Sequence, residues 1–236
     1  MRIAGFQKLT LLDFPNKVAC IIFTQGCNYK CPYCHNSGLL GHKNIDLIDE
    51  EEIFSYLKKR KGVIDGIVIS GGEPTIQKDL LIFMKRVKEL GILIKLDTNG
   101  SNPDVVESIL NENLVDYIAM DIKNTLGEYK DVTDVKPNVE NLKRSIELIK
   151  NSNIDHEFRT TIIKNIHDTN KIAEICSYVD GNKMYLQNFE QSENVLGKNL
   201  EPFSKEELIQ IEKEMKGKYP NVKVRGIWGG KLKCIK

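Results

Sequence analysis

The stretch Cys27-Asn28-Tyr29-Lys30-Cys31-Pro32-Tyr33-Cys34-His35-Asn36 carries three cysteines in a C-x3-C-x2-C spacing. It directly follows an apolar run, Val18 to Phe23, which predicts a strand that delivers the cysteines at its carboxyl end. Iron–sulfur clusters are held by cysteine thiolates, usually four. Three local thiolates would leave one iron with an open coordination position, and an open position on a metal is where chemistry takes place. The spacing therefore indicates a reactive iron–sulfur cluster held by Cys27, Cys31 and Cys34.

Clustered cysteines can also form a structural zinc site or a disulfide framework. A structural zinc site needs four ligands, and His35 directly follows Cys34, so the two would rarely reach one tetrahedral ion together. A disulfide framework is typical of small secreted chains, and Met1 to Thr10 shows no secretory signal. The remaining cysteines, Cys20, Cys176 and Cys234, form no second motif. The sequence also leaves open that the protein is not an enzyme but a binding module that contains zinc or a cluster.

Composition narrows the class of protein. The 236 residues are 41% hydrophobic and 28% charged, with a formal net charge of +1. Such a balance is ordinary for a soluble domain, and it provides no global field to attract nucleic acid or an anionic membrane. No apolar run approaches a transmembrane span. We expect one domain over residues 1–236, located in the cytoplasm, with neither nucleic acid nor membrane as a partner.

Strand and helix patterns alternate along the chain. Apolar runs predict strands, and amphipathic runs with capping residues predict the helices between them. The predicted strands are Val18–Thr24, Gly66–Ser70, Ile92–Leu96, Val115–Met120, Asp155–Ile163, Lys183–Asn188 and Asn221–Gly226. The predicted helices are Asp49–Lys61, Gln77–Leu90, Pro103–Asn113, Val139–Asn151, Lys171–Val179 and Ser204–Lys216. Strict alternation implies an α/β fold with a parallel sheet and outer helices, either an open doubly wound sheet or a partial barrel.

Polar and turn-forming residues cluster just after these strands. Ligands bind beyond the carboxyl ends of parallel strands in both kinds of fold, so all the clusters should line one mouth. Besides the cysteine loop they are Ser70-Gly71-Gly72-Glu73-Pro74, Asp97-Thr98-Asn99-Gly100, Asp121-Ile122-Lys123, Arg159 with Thr161, and Gln187-Asn188.

Two of these clusters allow more than one reading. Gly71-Gly72 lets backbone come close to a polar ligand, but it would also serve a tight strand-to-helix turn. Asp97 and Asp121 end neighbouring predicted strands, and two close carboxylates need a cation or a proton between them. A metal ion with oxygen ligands is one answer, and Lys123 or Arg159 is another.

The residues resemble the radical S-adenosylmethionine superfamily. The cysteine spacing with an aromatic residue, Tyr33, before the last cysteine is typical of that family, and Gly71-Gly72-Glu73-Pro74 resembles its methionine-binding turn. The resemblance spans essentially the whole chain and implies a partial (β/α)6 TIM-like barrel. Within the superfamily the chain is similar to glycyl-radical-enzyme activating proteins, above all those of anaerobic ribonucleoside-triphosphate reductase. The segments that carry this likeness are Gly5 to Leu9, Leu12 to Pro15, Phe23 to Cys27, Cys34 to Asn36 and Asp97 to Gly100.

The resemblance implies a set of cofactors and cofactor contacts. The cofactors are one [4Fe–4S] cluster on Cys27, Cys31 and Cys34, S-adenosylmethionine, and a monovalent cation held by Asp97, Thr98 and Asp121. Since Ser37 to Glu50 lacks the cysteine-rich insert of many activating enzymes, a single cluster is expected. The predicted cofactor-binding residues are Tyr33, Cys34, His35, Gly71, Gly72, Glu73, Asp97, Thr98, Asn99, Asp121, Lys123, Arg159 and Gln187.

The implied reaction is the reductive cleavage of S-adenosylmethionine to a 5′-deoxyadenosyl radical, which removes an α-hydrogen from a glycine of a partner enzyme. No general base is needed. The implied partners are a glycyl radical enzyme, anaerobic ribonucleoside-triphosphate reductase above others, and a one-electron donor such as flavodoxin or ferredoxin. The alternative within enzymes is a radical enzyme acting on a small molecule, such as a 7-carboxy-7-deazaguanine synthase.

Overall fold

Eight strands form one sheet in the order in which they occur in the chain. The computed structural model describes residues 1–41 and 46–226. β1 runs antiparallel to β2, and each later strand is parallel to the one before it. The strands are β1 Ile3–Thr10, β2 Ala19–Thr24, β3 Gly66–Gly71, β4 Leu93–Thr98, β5 Tyr117–Asp121, β6 Asp155–Ile162, β7 Met184–Asn188 and β8 Val222–Arg225.

The order of the strands makes the sheet an open, partial barrel. In the described residues β1 and β8 are its two edges and do not pair with each other. Six connections carry the chain from β2 to β8 with helices between the parallel strands. The prediction of a parallel α/β sheet with outer helices, as in a partial (β/α)6 barrel, is confirmed. A single domain over residues 1–236 stays a prediction, because residues 42–45 and 227–236, including Cys234, lie outside the described part.

The helices begin where the sequence supplies capping groups. Asp49 accepts a hydrogen bond from the backbone N–H of Glu51, and Ser204 and Glu207 form the predicted reciprocal capping box. None of the helices within residues 1–41 and 46–226 has the length and apolarity that crossing a bilayer demands. They are α1 Glu50–Lys59, α2 Leu80–Glu89, α3 Pro103–Asn111, α4 Tyr129–Thr133, α5 Val139–Lys150, α6 Thr169–Ser177 and α7 Lys205–Lys218.

Two elements were not expected from the sequence. β1 lies within the stretch Arg2 to Asn16, for which no strand was predicted. Only Ile3 and Thr10 of the strand are buried, so the apolar alternation that marks a strand is weak. The other is the short helix α4, which follows β5 and places Tyr129 under the mouth of the barrel. Both depend on tertiary contacts that a local pattern does not contain.

The two faces of the sheet differ in chemistry. The outer face and the helices form the main apolar core, in which Cys20 and Cys176 are buried, as expected. At the amino-terminal end of the inner face a smaller cluster joins Phe14, Ala19, Ile21, Val68 and Tyr117. Phe14 comes from the β1–β2 connection and fills the space above Gly66, where a Cβ atom would lie 2.7 Å from its ring. The carboxyl end of the inner face is left for polar groups.

We predict that Phe14→Ala destabilises the protein by about 3 kcal/mol, because it removes a buried ring and leaves a cavity at the base of the barrel. Phe14 is 3% exposed, whereas Leu12 in the same connection is 74% exposed. Leu12→Ala is therefore the matched control and should change stability by less than about 0.5 kcal/mol. Urea unfolding followed by circular dichroism measures both variants. Equal effects of the two substitutions would contradict the role given to Phe14.

Candidate active site

The cysteine loop leaves the carboxyl end of β2 and lies at the mouth of the barrel. Cys31 is buried, Cys27 and Cys34 are partly buried, and all three are free thiols. The loop is fixed locally, since the N–H of Cys34 donates to the carbonyl of Cys31 at 3.1 Å. In the described ranges no three Cys, His, Asp or Glu side chains converge on one metal-ion position. A cubane cluster presents a different iron to each thiolate, so its ligands need not converge on one point.

Burial keeps the three thiols protonated when no metal is bound. It raises the pKa of Cys27 to about 12 and raises the pKa values of Cys31 and Cys34 above their ordinary range. The positive charge of Lys123 acts in the opposite direction on all three pKa values. Thiolates are the metal-binding form, so iron must displace these protons when it binds. The charge of Lys123 thus acts on all three thiols, and three thiols match the donor set of a cluster with three protein ligands.

The Gly71-Gly72 turn holds the cysteine loop in place by direct backbone contact. A Cβ atom on Gly72 would lie 1.9 Å from the carbonyl oxygen of Gly26, and Gly71 has a positive φ of 117°. The N–H of Glu73 donates to the same Gly26 carbonyl at 2.9 Å. The two glycines therefore serve the tight turn considered from the sequence, and the surface that they approach is the protein's own backbone. Ligand binding by this turn stays a prediction.

Glu73 joins the turn to the loop that follows β4. Its carboxylate is buried and accepts hydrogen bonds from the hydroxyl of Thr98 at 2.7 Å and from the N–H of Asn99 at 2.7 Å. It also accepts the N–H and the hydroxyl of Thr75. Burial raises the pKa of Glu73, although these donors oppose the shift. Because Asn99 in turn donates to Asn28 at 2.9 Å, the loops after β2, β3 and β4 form one hydrogen-bonded unit.

Arg159 lies between the two aspartates that the sequence placed side by side. Its Nε donates to Asp121 Oδ1 at 2.8 Å, and its Nη1 lies 3.6 Å from Asp97 Oδ2. Burial would raise the pKa of both carboxyl groups, but the charges of Arg159 and the neighbouring lysines hold both pKa values below the usual range. The side chain of Arg159 is 14% exposed, so this pairing is screened little by solvent. Arginine thus supplies the positive charge that two close carboxylates require.

Lys123 is fixed at both its side chain and its backbone. Its Nζ donates to Asp121 Oδ2 at 3.1 Å, and its pKa is raised because the charge of Asp121 outweighs burial. Its N–H donates to the hydroxyl of Tyr129, and its carbonyl accepts from Tyr33 Oη at 3.4 Å and from His167 Nε2 at 3.2 Å. Tyr33 is therefore buried beneath Lys123. His167 must donate from Nε2, since its Nδ1 accepts the N–H of Ile163.

Three charged side chains of the inner face were not singled out from the sequence: Lys95, Glu157 and Arg225. Lys95 is 2% exposed and forms an ion pair with Asp97, and Glu157 is 2% exposed. Glu157 accepts from Tyr117 at 3.0 Å and pairs with Arg225 at 3.1 Å. Strand alternation could have identified two of them, because residues two apart in a strand share a face. Lys95 lies two residues before Asp97, and Glu157 lies two residues before Arg159. His167 carried no such signal, since its partner Lys123 is distant in sequence.

The last two predicted cofactor residues lie on the β7 side of the mouth. Gln187 pairs in register with Thr161 of β6 and Arg225 of β8 and is partly buried. His35 contacts Ser192 and stacks on Phe189 with ring centroids 6.3 Å apart. The neighbouring Asn188 exchanges two hydrogen bonds with the backbone of Phe203. The structure thus brings all the predicted residues to one mouth, and their contacts with a cofactor stay predictions.

We predict that His167 makes the stability of the metal-free protein depend on pH below neutrality. Burial lowers its pKa from 6.5 to about 4, so the fold favours the neutral ring. Its contribution is complete above pH 6.5 and is lost as the pH falls towards 4. At pH 5 the loss should be about 2 kcal/mol. Urea unfolding of wild type and His167→Gln at pH 7.5 and pH 5 measures it: the stability difference between them should shrink by that amount, and a constant difference contradicts the prediction.

Comparison with known proteins identifies the family. The profile of the Radical SAM superfamily matches residues 21–178. The "Putative glycyl-radical enzyme activating enzyme" of Methanocaldococcus jannaschii is 37% identical over 96% of this chain and 97% of its own length. The pyruvate formate-lyase-activating enzyme of Clostridium pasteurianum is 28% identical over 91% of this chain and 97% of its own length. Streptococcus suis SuiB, solved with S-adenosylmethionine bound, shares the fold with a TM-score of 0.67 and 13% identity, over 86% of this chain and 48% of SuiB. The chain therefore belongs to the Radical SAM superfamily and is a radical S-adenosylmethionine enzyme.

Proposed function

We propose that this enzyme activates a glycyl radical enzyme by removing an α-hydrogen from a glycine of that partner. The observation that carries the proposal is the 37% identity to the Methanocaldococcus jannaschii relative, which extends over 96% of this chain and 97% of the relative. The similarity thus extends over nearly the full length of both chains and is not confined to one motif. The similarity to a pyruvate formate-lyase-activating enzyme over 91% of this chain supports the same class of reaction.

Membership of the family implies a [4Fe–4S] cluster and S-adenosylmethionine. When bound, they supply one-electron cleavage of a carbon–sulfur bond, which is chemistry that no side chain provides. Cys27, Cys31 and Cys34 would hold the cluster, as the three-thiol donor set allows. Lys123 would pair with the carboxylate of the methionine moiety, since its ammonium is already oriented by Asp121. Gln187 would flank the adenine together with the backbone of Tyr33, whose side chain is buried beneath Lys123.

A monovalent cation beside the cofactor would compete with Arg159 for its ligands. The resemblance assigns it to Asp97, Thr98 and Asp121, but both carboxylates already pair with Arg159. The hydroxyl of Thr98 donates to Glu73 and accepts the N–H of Gly100. A cation would therefore share these oxygens with Arg159 or displace the guanidinium.

We propose a protein as the substrate, and anaerobic ribonucleoside-triphosphate reductase as the partner. The open edges of the sheet support a macromolecular substrate, because β1 and β8 leave the side of the described barrel unclosed. A flavodoxin or ferredoxin would supply the electron, and the cytoplasm is the proposed location. The small-molecule alternative, a 7-carboxy-7-deazaguanine synthase, becomes one outcome of the test below.

We predict that Asp121→Ala weakens binding of S-adenosylmethionine at least tenfold, while the cluster is retained. The substitution leaves Arg159 and Lys123 without the carboxylate that orients both of them. Anaerobic titration calorimetry measures the affinity, and iron analysis measures the cluster. Asp131→Ala is the control, because Asp131 is exposed on α4 close to the same mouth. Unchanged affinity in Asp121→Ala would contradict the role given to this carboxylate.

The proposed function is tested by electron paramagnetic resonance. Reduced, cluster-loaded enzyme is mixed with S-adenosylmethionine and an anaerobic ribonucleoside-triphosphate reductase, and Cys31→Ala serves as the control. We expect a glycyl doublet on the reductase with wild type and no signal with Cys31→Ala. Cofactor cleavage without a glycyl radical on this or other glycyl radical enzymes would favour a small-molecule substrate. Failure to form about one cluster per chain during anaerobic reconstitution would favour a binding module.

A further inference from the structure

A long irregular loop connects β7 to α7 and crosses the mouth of the barrel. This β7–α7 loop comprises residues 189–204 and contains neither helix nor strand. Irregular loops of this length are uncommon in compact domains and are usually functional when they are ordered. None of the cofactor contacts predicted above falls within it.

Both ends of the β7–α7 loop are fixed to β6 and to the segment that follows β6. The N–H of Phe189 donates to the carbonyl of Ile162 at 3.0 Å. Further along, the carbonyl of Glu201 accepts the N–H of Lys164 at 2.8 Å. β6 and the segment after it therefore hold the loop at two separated points, Phe189 and Glu201. The stretch between these two points contacts the cysteine loop.

The middle of the β7–α7 loop rests on the residues that flank Cys31 and Cys34. The N–H of Gly197 donates to the carbonyl of Pro32 at 2.7 Å. The hydroxyl of Ser192 lies 3.2 Å from Nδ1 of His35, and the hydroxyl of Ser37 donates to the carbonyl of Asn194. Pro32 follows Cys31, and His35 follows Cys34. Among residues 1–41 and 46–226, none of the hydrogen bonds of this loop reaches Gly26 or Asn28 beside Cys27, so the loop restrains only the second half of the cysteine motif.

The contact at Gly197 is too close for any other residue. A Cβ atom there would lie 2.8 Å from Pro32 Cβ, 3.1 Å from Pro32 O and 2.8 Å from Leu200 Cδ1. Steric clash alone sets this requirement, because the φ of Gly197 is not in the left-handed region. Gly38, just after the cysteine motif, has no atom within 4 Å of its hypothetical Cβ.

We infer that the β7–α7 loop positions Cys31 and Cys34 for the cluster, with Gly197 and Ser192 as the positioning residues. Three polar contacts hold the Pro32–Ser37 segment from outside, while the Gly72 turn holds the beginning of the cysteine loop at Gly26. Cys27 is thereby set by the β3 side of the barrel, and the β7 side adds its restraint at Cys31 and Cys34 to those of Lys30 on Thr133 at 2.9 Å and of Asn36 on Gly71 at 3.3 Å. The inference rests on the cluster that the family implies and is independent of which molecule receives the radical.

The first test uses the metal-free protein and compares Gly197→Ala with Gly38→Ala. Thiol alkylation by iodoacetamide is followed site by site with mass spectrometry. We expect Gly197→Ala to alkylate Cys31 and Cys34 at least fivefold faster than wild type, with little change at Cys27. Gly38→Ala should match wild type at all three sites. Equal acceleration at all three cysteines, or none at any, overturns the inference.

The second test uses the cluster-loaded protein. Iron release to an excess of a ferrous chelator, under argon, should be at least fivefold faster in Gly197→Ala than in Gly38→Ala. The melting temperature of the metal-free variants should remain close to that of wild type. If Gly197→Ala does not fold, Ser192→Ala takes its place as the test variant, because it removes the contact with His35 without adding volume. Ser192→Ala should raise both rates about twofold, and wild-type rates in that variant overturn the inference. A failed glycyl-radical assay with intact iron release would affect only the proposed function.

Discussion

The pairing of Arg159 with Asp97 and Asp121 is the interaction on which the site depends. Parallel strands bring the two carboxylates to the same edge, and without a cation between them the two could not readily both remain ionised in this partly buried position. The ion pairs extend from Arg159 through Asp97 to Lys95, through Asp121 to Lys123, and through Glu157 to Arg225. This connected network contains four cations and three carboxylates. The network therefore carries one net positive charge, which would favour an anionic ligand group such as a carboxylate.

A buried network of this kind is weak evidence for stability, since desolvation offsets much of the attraction. Its contribution is better understood as geometric. Lys123 is held by Asp121 at its ammonium and by Tyr33, Tyr129 and His167 at its backbone, so few rotamers remain open to it. A group that is oriented before its ligand arrives does not lose that freedom on binding. The cluster that contains Phe14 and Tyr117 fills the amino-terminal end of the same inner face with apolar groups.

The sequence predicted those features that local patterns encode. The parallel strands have strong apolar runs, and turn residues at their ends identified the mouth, so Asp97 and Asp121 could be placed together without knowledge of their contacts. β1 was missed because Gln7 and Lys8 on an edge strand interrupt its apolar pattern. Lys95 and Glu157 were overlooked although alternation places them beside Asp97 and Arg159. The roles of His167 and Gly197 could not be predicted at all, because their partners, Lys123 and Pro32, lie 44 and 165 positions away in the sequence.

The arrangement of restraints also bears on the kind of substrate. The beginning of the cysteine loop is joined to the β3 and β4 loops through Gly72 and Glu73, and its end is joined to the β7–α7 loop through Gly197. A closed barrel would need β8 to pair with β1 and would enclose the mouth on every side. In the described chain β1 and β8 do not pair, so the sheet is open between these two edges. An extended protein segment would use such an opening to bring a backbone carbon to the mouth. The open edge therefore fits the macromolecular substrate proposed above.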